Sequence, residues 1–118
     1  PLDVNRMRKA AEYLCGTHDF KSFCGNKKMK KSTVRTISRI QIKELPGEIQ
    51  IYYTGNGFLQ NMVRILTGTL IEIGDGRRTP EDVSEILEAK NRERAGYTAP
   101  ACGLTLLEVI YGKMVCNK

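Results

Sequence analysis

The sequence predicts an α+β fold, in which an antiparallel sheet carries helices on one face. In some segments apolar residues recur every three or four positions, which is typical of amphipathic helices, and in others they alternate with polar residues, which is typical of half-buried strands. The order of these segments is helix, strand, strand, helix, helix, strand. At 118 residues, 41% hydrophobic and 27% charged, the chain is expected to form a single domain, residues 1–118.

The first helix is predicted over residues 3–15, because its apolar residues, from Val4 to Leu14, recur at helical spacing. Asp3 can cap its first turn and Gly16 can end it. A polar loop follows, which contains the lysine-rich stretch NKKMKK.

An antiparallel hairpin is predicted next, with strands over residues 33–43 and 48–54 joined by the turn ELPGE. Both strands alternate apolar and polar side chains and are rich in β-branched residues. In the first strand the alternation predicts that Arg35 and Arg39 lie on the same face as Ile37.

The longest helix is predicted over GNGFLQNMVRILTGTLIEIG, residues 55–74, with Asn56 as its cap. At 100° per residue, its main apolar side chains fall within about 160° of arc. An exposed helix face usually mixes Lys and Glu, whereas here one arginine stands among uncharged residues, which indicates a specific partner for Arg64. The polar side carries Gln60, Asn61, Arg64, Thr67 and Gly68.

The last helix is predicted from TPEDVSEILEAK, with Thr79 as cap, Pro80 at the first helical position and Asp82 completing a capping-box-like pattern. The loop NRERAGYTAPACG leads into LTLLEVIY, residues 104–111, which is apolar on both faces and predicts a central strand. This order of elements predicts a ferredoxin-like fold, the alpha-beta plait.

The net charge of +6 is concentrated in one segment. Residues 20–43 contain eight basic residues and no acidic one, which leaves 11 basic against 13 acidic residues elsewhere. A localised positive field attracts a polyanion, and nucleic acid is the commonest such partner. The alternative is a solvated lysine-rich loop.

Several other functions lack their usual signatures. The cysteines form no CxxC pair, and His18 has no Cys or Glu at a ligand spacing, so no metal is expected. No apolar run reaches the roughly 20 residues of a membrane span, and no signal peptide is recognisable, which favours a cytoplasmic protein with reduced thiols. There is no phosphate-binding GxxxxGK[ST] loop, and His18 has no assignable nucleophile. The residues alone therefore predict a basic binding surface rather than a complete active site, with no cofactor.

Two long motifs carry a resemblance. NGFLQNMVRILTGTLIEIGDGRR and LEAKNRERAGYTAPACGLTLLEV, in this order, resemble the C-terminal half of the catalytic core of the tRNA pseudouridine synthase A (TruA) family. LDVNRMRKAAEYLCGTHDFKSF and VRTI extend the resemblance over residues 2–111. It implies isomerisation of uridine to pseudouridine in the tRNA anticodon stem-loop. The implied partners are tRNA, the N-terminal half of the same enzyme and, in the full-length protein, a second subunit of a homodimer.

The resemblance also implies roles for individual residues. In this family an aspartate attacks the nucleoside, and an arginine from the F-x-x-x-M-V-R helix pairs with it; the match places that arginine at Arg64. The same matches place Phe58, Gly103 and Leu104 at the uracil pocket, although Leu104 could equally be core. The G-R-T-D-A-G-V-H-type motif with the nucleophile is missing, and Asp82 lacks the A-G-V-H that would follow it. The chain alone is therefore expected to be inactive.

A basic surface would hold the tRNA phosphates. The alternative function is a non-catalytic RNA-binding module of ferredoxin-like fold, for which only Tyr52 and Tyr53 are candidate stacking residues. In that case Arg64 would only bond loop carbonyls or contribute to binding. The predicted RNA-binding residues are Lys27, Lys28, Lys30, Lys31, Arg35, Arg39, Arg77 and Arg78.

Overall fold

The computed structural model describes residues 1–100, 104–108 and 111–117. One antiparallel sheet in the order β1-β2-β3-β5-β4 forms the framework. Its strands are β1 (Gly16–Asp19), β2 (Val34–Leu45), β3 (Glu48–Gly55), β4 (Leu104–Glu108) and β5 (Tyr111–Asn117). The helices are α1 (Val4–Leu14), α2 (Met62–Gly74) and α3 (Asp82–Ala89), with short 3-10 turns at Lys21–Phe23 and Arg92–Arg94.

Helices cover one face of the sheet. In β3 the side chains of Ile49, Ile51 and Tyr53 are fully buried, while the residues between them are only half-buried. α1 packs on α2 and β2, and α2 packs on β5. This is the helix-on-sheet layering of an α+β fold, and the predicted fold class is confirmed.

α1 follows the prediction closely. The Asp3 carboxylate accepts a hydrogen bond from the backbone N–H of Arg6 at 3.2 Å, which caps the first turn. The apolar stripe from Val4 to Leu14 is buried. Beyond the helix, Gly16 has a φ of 105° and begins β1, an edge strand that was not predicted because it is only four residues long.

α2 begins seven residues later than predicted, at Met62. Gly55 is still paired in β3, and the Asn56 side chain accepts a hydrogen bond from the backbone N–H of Thr36 at 2.9 Å. These contacts keep the segment on the sheet, so Asn56 does not cap the helix. The N-cap is Asn61, which has a left-handed φ of 59° and no side-chain capping bond.

A β-bulge in β2 overturns the predicted face of Arg39. Ile37 pairs with Gly55 but Arg39 pairs with Thr54, so one residue of β2 is left out of the ladder. Arg35 keeps the phase of Ile37, whereas Arg39 moves to the open face of the sheet. Simple alternation could not show this, because an inserted residue moves every later residue of the strand to the opposite face of the sheet.

The predicted central strand over residues 104–111 is also wrong. Two antiparallel strands occupy this part of the chain, and β5 rather than β4 lies beside β3. Leu104 pairs with Met114 and Glu108 with Tyr111, so the chain reverses between β4 and β5. β4 forms the edge among the described strands. An apolar run indicates burial but does not show where a chain reverses.

α3 starts at Asp82, with Glu81 at its N-cap position, rather than directly after Thr79. The Asp82 carboxylate nevertheless accepts from the backbone N–H of Thr79 at 2.9 Å, which is the predicted capping-box contact. Val83 and Ile86 are buried. Of the helices in the described part of the chain, none has both the length and the apolar character to cross a membrane.

Candidate functional site

Arg64 lies half-buried on α2 and holds a loop. Its Nε donates to the carbonyl oxygen of Ala99 at 2.7 Å, and the Ala99 N–H donates back to the carbonyl oxygen of Arg64 at 3.0 Å. Its Nη1 donates to the Asn61 Oδ1 at 3.2 Å. Within the described residues no carboxylate lies within ion-pair distance of Arg64, and its remaining N–H groups make no hydrogen bond.

Two glycines let this loop, residues 95–99, lie directly on the helix. A Cβ on Gly68 would stand 1.8 Å from the carbonyl oxygen of Tyr97, and one on Gly96 would stand 2.8 Å from the Cα of Thr69. The N–H of Gly96 donates to the Thr69 hydroxyl at 2.9 Å. The predicted polar groove of α2 is therefore filled by a loop backbone, which only residues without side chains permit.

Thr67 does not belong to this groove, contrary to the prediction. It is fully buried, and its hydroxyl lies 2.7 Å from the hydroxyl of Tyr53 and donates to the carbonyl oxygen of Val63 at 2.8 Å. The prediction placed Thr67 opposite the apolar arc by its angle on the helix, whereas a polar core partner on β3 holds its side chain toward the sheet. Since Tyr53 is buried, it offers no surface for stacking a base.

Glu72 holds the other end of the loop. Its carboxylate accepts from the Tyr97 N–H at 3.2 Å and from the Arg78 Nε at 2.7 Å. Arg78 also donates to the carbonyl oxygen of Arg94 at 2.8 Å, so much of its guanidinium is engaged within the chain. The role of Arg78 as an RNA contact stays a prediction.

Arg77 is paired with a neighbouring carboxylate at the exposed end of α2. Its Nη2 lies 2.7 Å from the Asp75 Oδ2. The side-chain hydrogen bond from Arg77 holds the pKa of Asp75 below its ordinary value. A polyanion would have to compete with Asp75 for this arginine, and the RNA contact of Arg77 also stays a prediction.

The lysine-rich loop is exposed at all four predicted lysines, Lys27, Lys28, Lys30 and Lys31. Only Lys27 among them is near an acidic group of the described residues, the Glu93 Oε1 at 4.0 Å. Such exposed pairs contribute little to stability and leave the lysine available to another anion.

The two predicted arginines of β2 differ in their surroundings. Arg35 donates from Nη1 to the carbonyl oxygens of Ser32 and Val34, both at 2.8 Å, whereas Arg39 is exposed on the open face of the sheet.

His18 and the thiol of Cys24 make hydrogen bonds within the chain. His18 Nε2 lies 2.9 Å from the carbonyl oxygen of Cys15, and its ring meets Phe20 edge-on. Cys15 and Cys24 are free thiols, and burial raises the pKa of Cys15. Across residues 1–100, 104–108 and 111–117, no three His, Cys, Asp or Glu side chains are grouped to hold a metal ion.

The comparison with known families shows to which family this chain belongs. The family model described as tRNA pseudouridine synthase matches residues 10–112. The chain belongs to the tRNA pseudouridine synthase family.

Curated relatives agree with this assignment. The chain is 51% identical over 111 residues to tRNA pseudouridine synthase A of Brevibacillus brevis, which covers 94% of the chain and 46% of the relative. It is 52% identical over 114 residues to the protein of the same name from Limosilactobacillus reuteri, covering 95% and 44%. It is 51% identical over 110 residues to tRNA pseudouridine synthase A 2 of Clostridium tetani, covering 93% and 44%. The chain therefore spans less than half the length of these relatives.

The remaining predicted site residues of this pseudouridine synthase family member are Phe58, Gly103 and Leu104. Phe58 is partly buried and packs against the core at the entry to α2. Leu104 is the first residue of β4, and its backbone pairs with Met114. Gly103 lies outside the described residues. The uracil-pocket role of all three stays a prediction.

A pocket of about 170 Å³ lies beside the lysine-rich loop and was missed from the sequence. Three of its cations, Lys21, Lys90 and Arg92, come from outside the NKKMKK stretch. Lys21 belongs to the basic segment 20–43, whereas Lys90 and Arg92 lie in the stretch KNRER, where an acidic residue interrupts the charge. The sequence does not show that these two segments meet; the positive φ of Lys90, 48°, and the hydrogen bonds of Ser22 bring them together. The lining residues are Lys21, Cys24, Asn26, Lys27, Lys90, Asn91 and Arg92.

Proposed function

We propose that this chain is the C-terminal half of the catalytic core of a tRNA pseudouridine synthase, which converts uridine to pseudouridine in the tRNA anticodon stem-loop. Family membership supports the reaction class, and the coverage of 46% of the first relative supports a second half elsewhere. The reaction neither oxidises nor reduces its substrate, and no cofactor is required. The full-length protein acts in the cytoplasm as a homodimer.

Arg64 is the catalytic residue contributed by this half, and its environment is the observation that carries the proposal. It is half-buried and anchored at Nε and Nη1, and it has no acidic partner among the described residues. A guanidinium with its remaining donors unused suits a carboxylate, which it binds in a fixed planar geometry.

The carboxylate belongs to the nucleophilic aspartate of the N-terminal half. Pairing with Arg64 would lower the pKa of that aspartate and keep it ionised. The ionised aspartate attacks the nucleoside, and the uracil detaches and turns. The uracil then rejoins the ribose through carbon as the aspartate is released; that carbon loses its proton and the freed ring nitrogen gains one, so the product is an isomer of the substrate. Phe58, Gly103 and Leu104 form the wall of the uracil pocket.

A split-enzyme assay tests this proposal. The chain is incubated with an unmodified tRNA that carries anticodon-arm uridines, alone and together with a separately expressed N-terminal half, and pseudouridine is measured. We expect product only when both halves are present. Product from this chain alone would contradict the proposal, because the nucleophile would then lie within these 118 residues. Absence of product when both halves are folded and bound to each other would also contradict it.

The exposed lysines of the loop at residues 27–31 hold tRNA phosphates in this proposal. Replacing Lys27, Lys28, Lys30 and Lys31 by glutamine in the full-length enzyme should weaken tRNA binding at low salt. It should also reduce the slope of log affinity against log salt concentration by about 0.7 to 0.9 for each phosphate that the loop no longer neutralises. The measurement is a salt titration of tRNA binding. An unchanged slope would show that this loop does not bind phosphates.

A further inference from the structure

The pocket beside the lysine-rich loop is lined by four cations and by no acidic residue. Lys21 and Lys27 come from one wall, and Lys90 and Arg92 from the other. Among the described residues, these cations form one ion pair, between the Lys27 Nζ and the Glu93 Oε1 at 4.0 Å. Four like charges around one cavity repel each other, and an anion in the cavity would relieve that repulsion.

A buried serine fixes the two walls of the pocket to each other. Ser22, which is fully buried, donates from its hydroxyl to the carbonyl oxygen of Ile86 at 2.6 Å. The same hydroxyl accepts from the backbone N–H of Asn91 at 2.8 Å. Lys21 and Lys90 each lie one residue from this junction, so their backbones are held in place before any ligand binds.

Both walls also contact the segments that hold Arg64. Arg92 donates to the carbonyl oxygen of Gly96 at 2.8 Å and to the Thr98 hydroxyl at 3.0 Å, on the loop that ends at Ala99. On the other wall, the Gly25 N–H donates to the carbonyl oxygen of Gln60 at 2.8 Å, next to Asn61. The walls of the pocket thus contact the loop that bonds Arg64 and the residue that precedes the N-cap of α2.

We propose that this pocket binds a single phosphodiester of the RNA backbone, close to the nucleotide that is presented at Arg64. The inference rests on the proposed function for the identity of the RNA. Lysines neutralise phosphates as compact point charges, and RNA offers one phosphate for each nucleotide. Holding one phosphate beside the reacting nucleotide would fix the position of the strand while the uracil turns. Lys21 and Lys90 are the principal contacts.

Single charge removals test the pocket. Lys21→Gln and Lys90→Gln are compared with Lys9→Gln, a matched control whose side chain is 64% exposed on α1. The probe is an anticodon stem-loop RNA hairpin, and its affinity for the chain is measured between 50 and 200 mM salt. Each pocket variant should reduce the salt slope by about 0.7 to 0.9, and the control should leave it unchanged. Equal slopes for all four proteins, or no hairpin binding at low salt, would overturn the proposal.

A second arm identifies the phosphate. Methylphosphonate, a neutral linkage, is placed singly at each phosphodiester flanking the target uridine. One position should weaken binding to the wild-type chain, and the same position should have no effect on Lys90→Gln. Independent losses of affinity at every position would overturn a single-phosphate pocket, and so would a Kd for inorganic phosphate as low as that for the hairpin. These outcomes do not affect the result of the split-enzyme assay. A wrong pocket assignment can therefore be distinguished from a wrong proposed function.

Discussion

Replacing Arg64 by lysine is expected to reduce pseudouridine formation by the two combined halves by about 100-fold or more, while tRNA affinity changes little. Lysine keeps the charge but cannot bond the Ala99 carbonyl and a carboxylate in the same geometry. Loss of one preorganised donor at a reacting centre typically costs about 100-fold to 1,000-fold in rate. The measurement is single-turnover pseudouridine formation at saturating tRNA, paired with a binding titration.

Arg94→Lys provides the matched control, because Arg94 is also an arginine near this loop but is exposed. It should leave the single-turnover rate within about twofold. A stability measurement on Arg64→Lys separates chemistry from folding, since removing the hydrogen bond to Ala99 should cost only about 1 to 3 kcal/mol. If Arg64→Lys weakened binding but retained the wild-type rate, the chain would act as a binding module and the catalytic role would be wrong.

Local patterns predicted α1 and the hairpin well. The spacing from Val4 to Leu14 predicted α1, and its cap Asp3 makes the expected hydrogen bond. The errors in the start of α2, the face of Arg39 and the order of the strands involve long-range pairing. The start of α2 depends on Asn56 binding the backbone of Thr36, and the face of Arg39 depends on a bulge against β3. The periodicity of one segment cannot show where α2 starts or which face Arg39 occupies, because both depend on how that segment pairs with a neighbouring strand.

Part of the candidate site could also be predicted from the sequence, and part could not. The isolated charge on α2 predicted that Arg64 has a specific environment, and the family motifs predict a catalytic role for it. The loop lying on α2 was not predicted, although Gly68 offered a signal. A glycine in a helix interior is destabilising by roughly 1 kcal/mol relative to alanine, so a close backbone approach is one reason to have it. Lys21 and Lys90 could not be paired from the sequence, since the hydrogen bonds that join their segments run through Ser22.

Gly68→Ala is expected to destabilise the chain by about 2 kcal/mol or more, despite the better helix propensity of alanine. The added methyl group would stand 1.8 Å from the backbone oxygen of Tyr97, and backbone cannot rotate away as a side chain can. The loop must therefore move off α2. The free energy of unfolding, measured by urea titration of the wild-type chain and the variant, gives the size of the effect.

Gly74→Ala is the control on the same helix, since its new methyl group would meet the Cγ and Sδ atoms of Met7 at 2.9 Å, which belong to a flexible side chain. Its cost should be clearly smaller than that of Gly68→Ala, and equal costs would show that the approach of the loop is not the cause. The loop carries Ala99, the acceptor for the Arg64 Nε, so Gly68→Ala should also slow pseudouridine formation at temperatures where the variant is folded. Gly68 thus connects the packing of the loop to the position of the arginine, and a stable Gly68→Ala variant with wild-type turnover would contradict that connection.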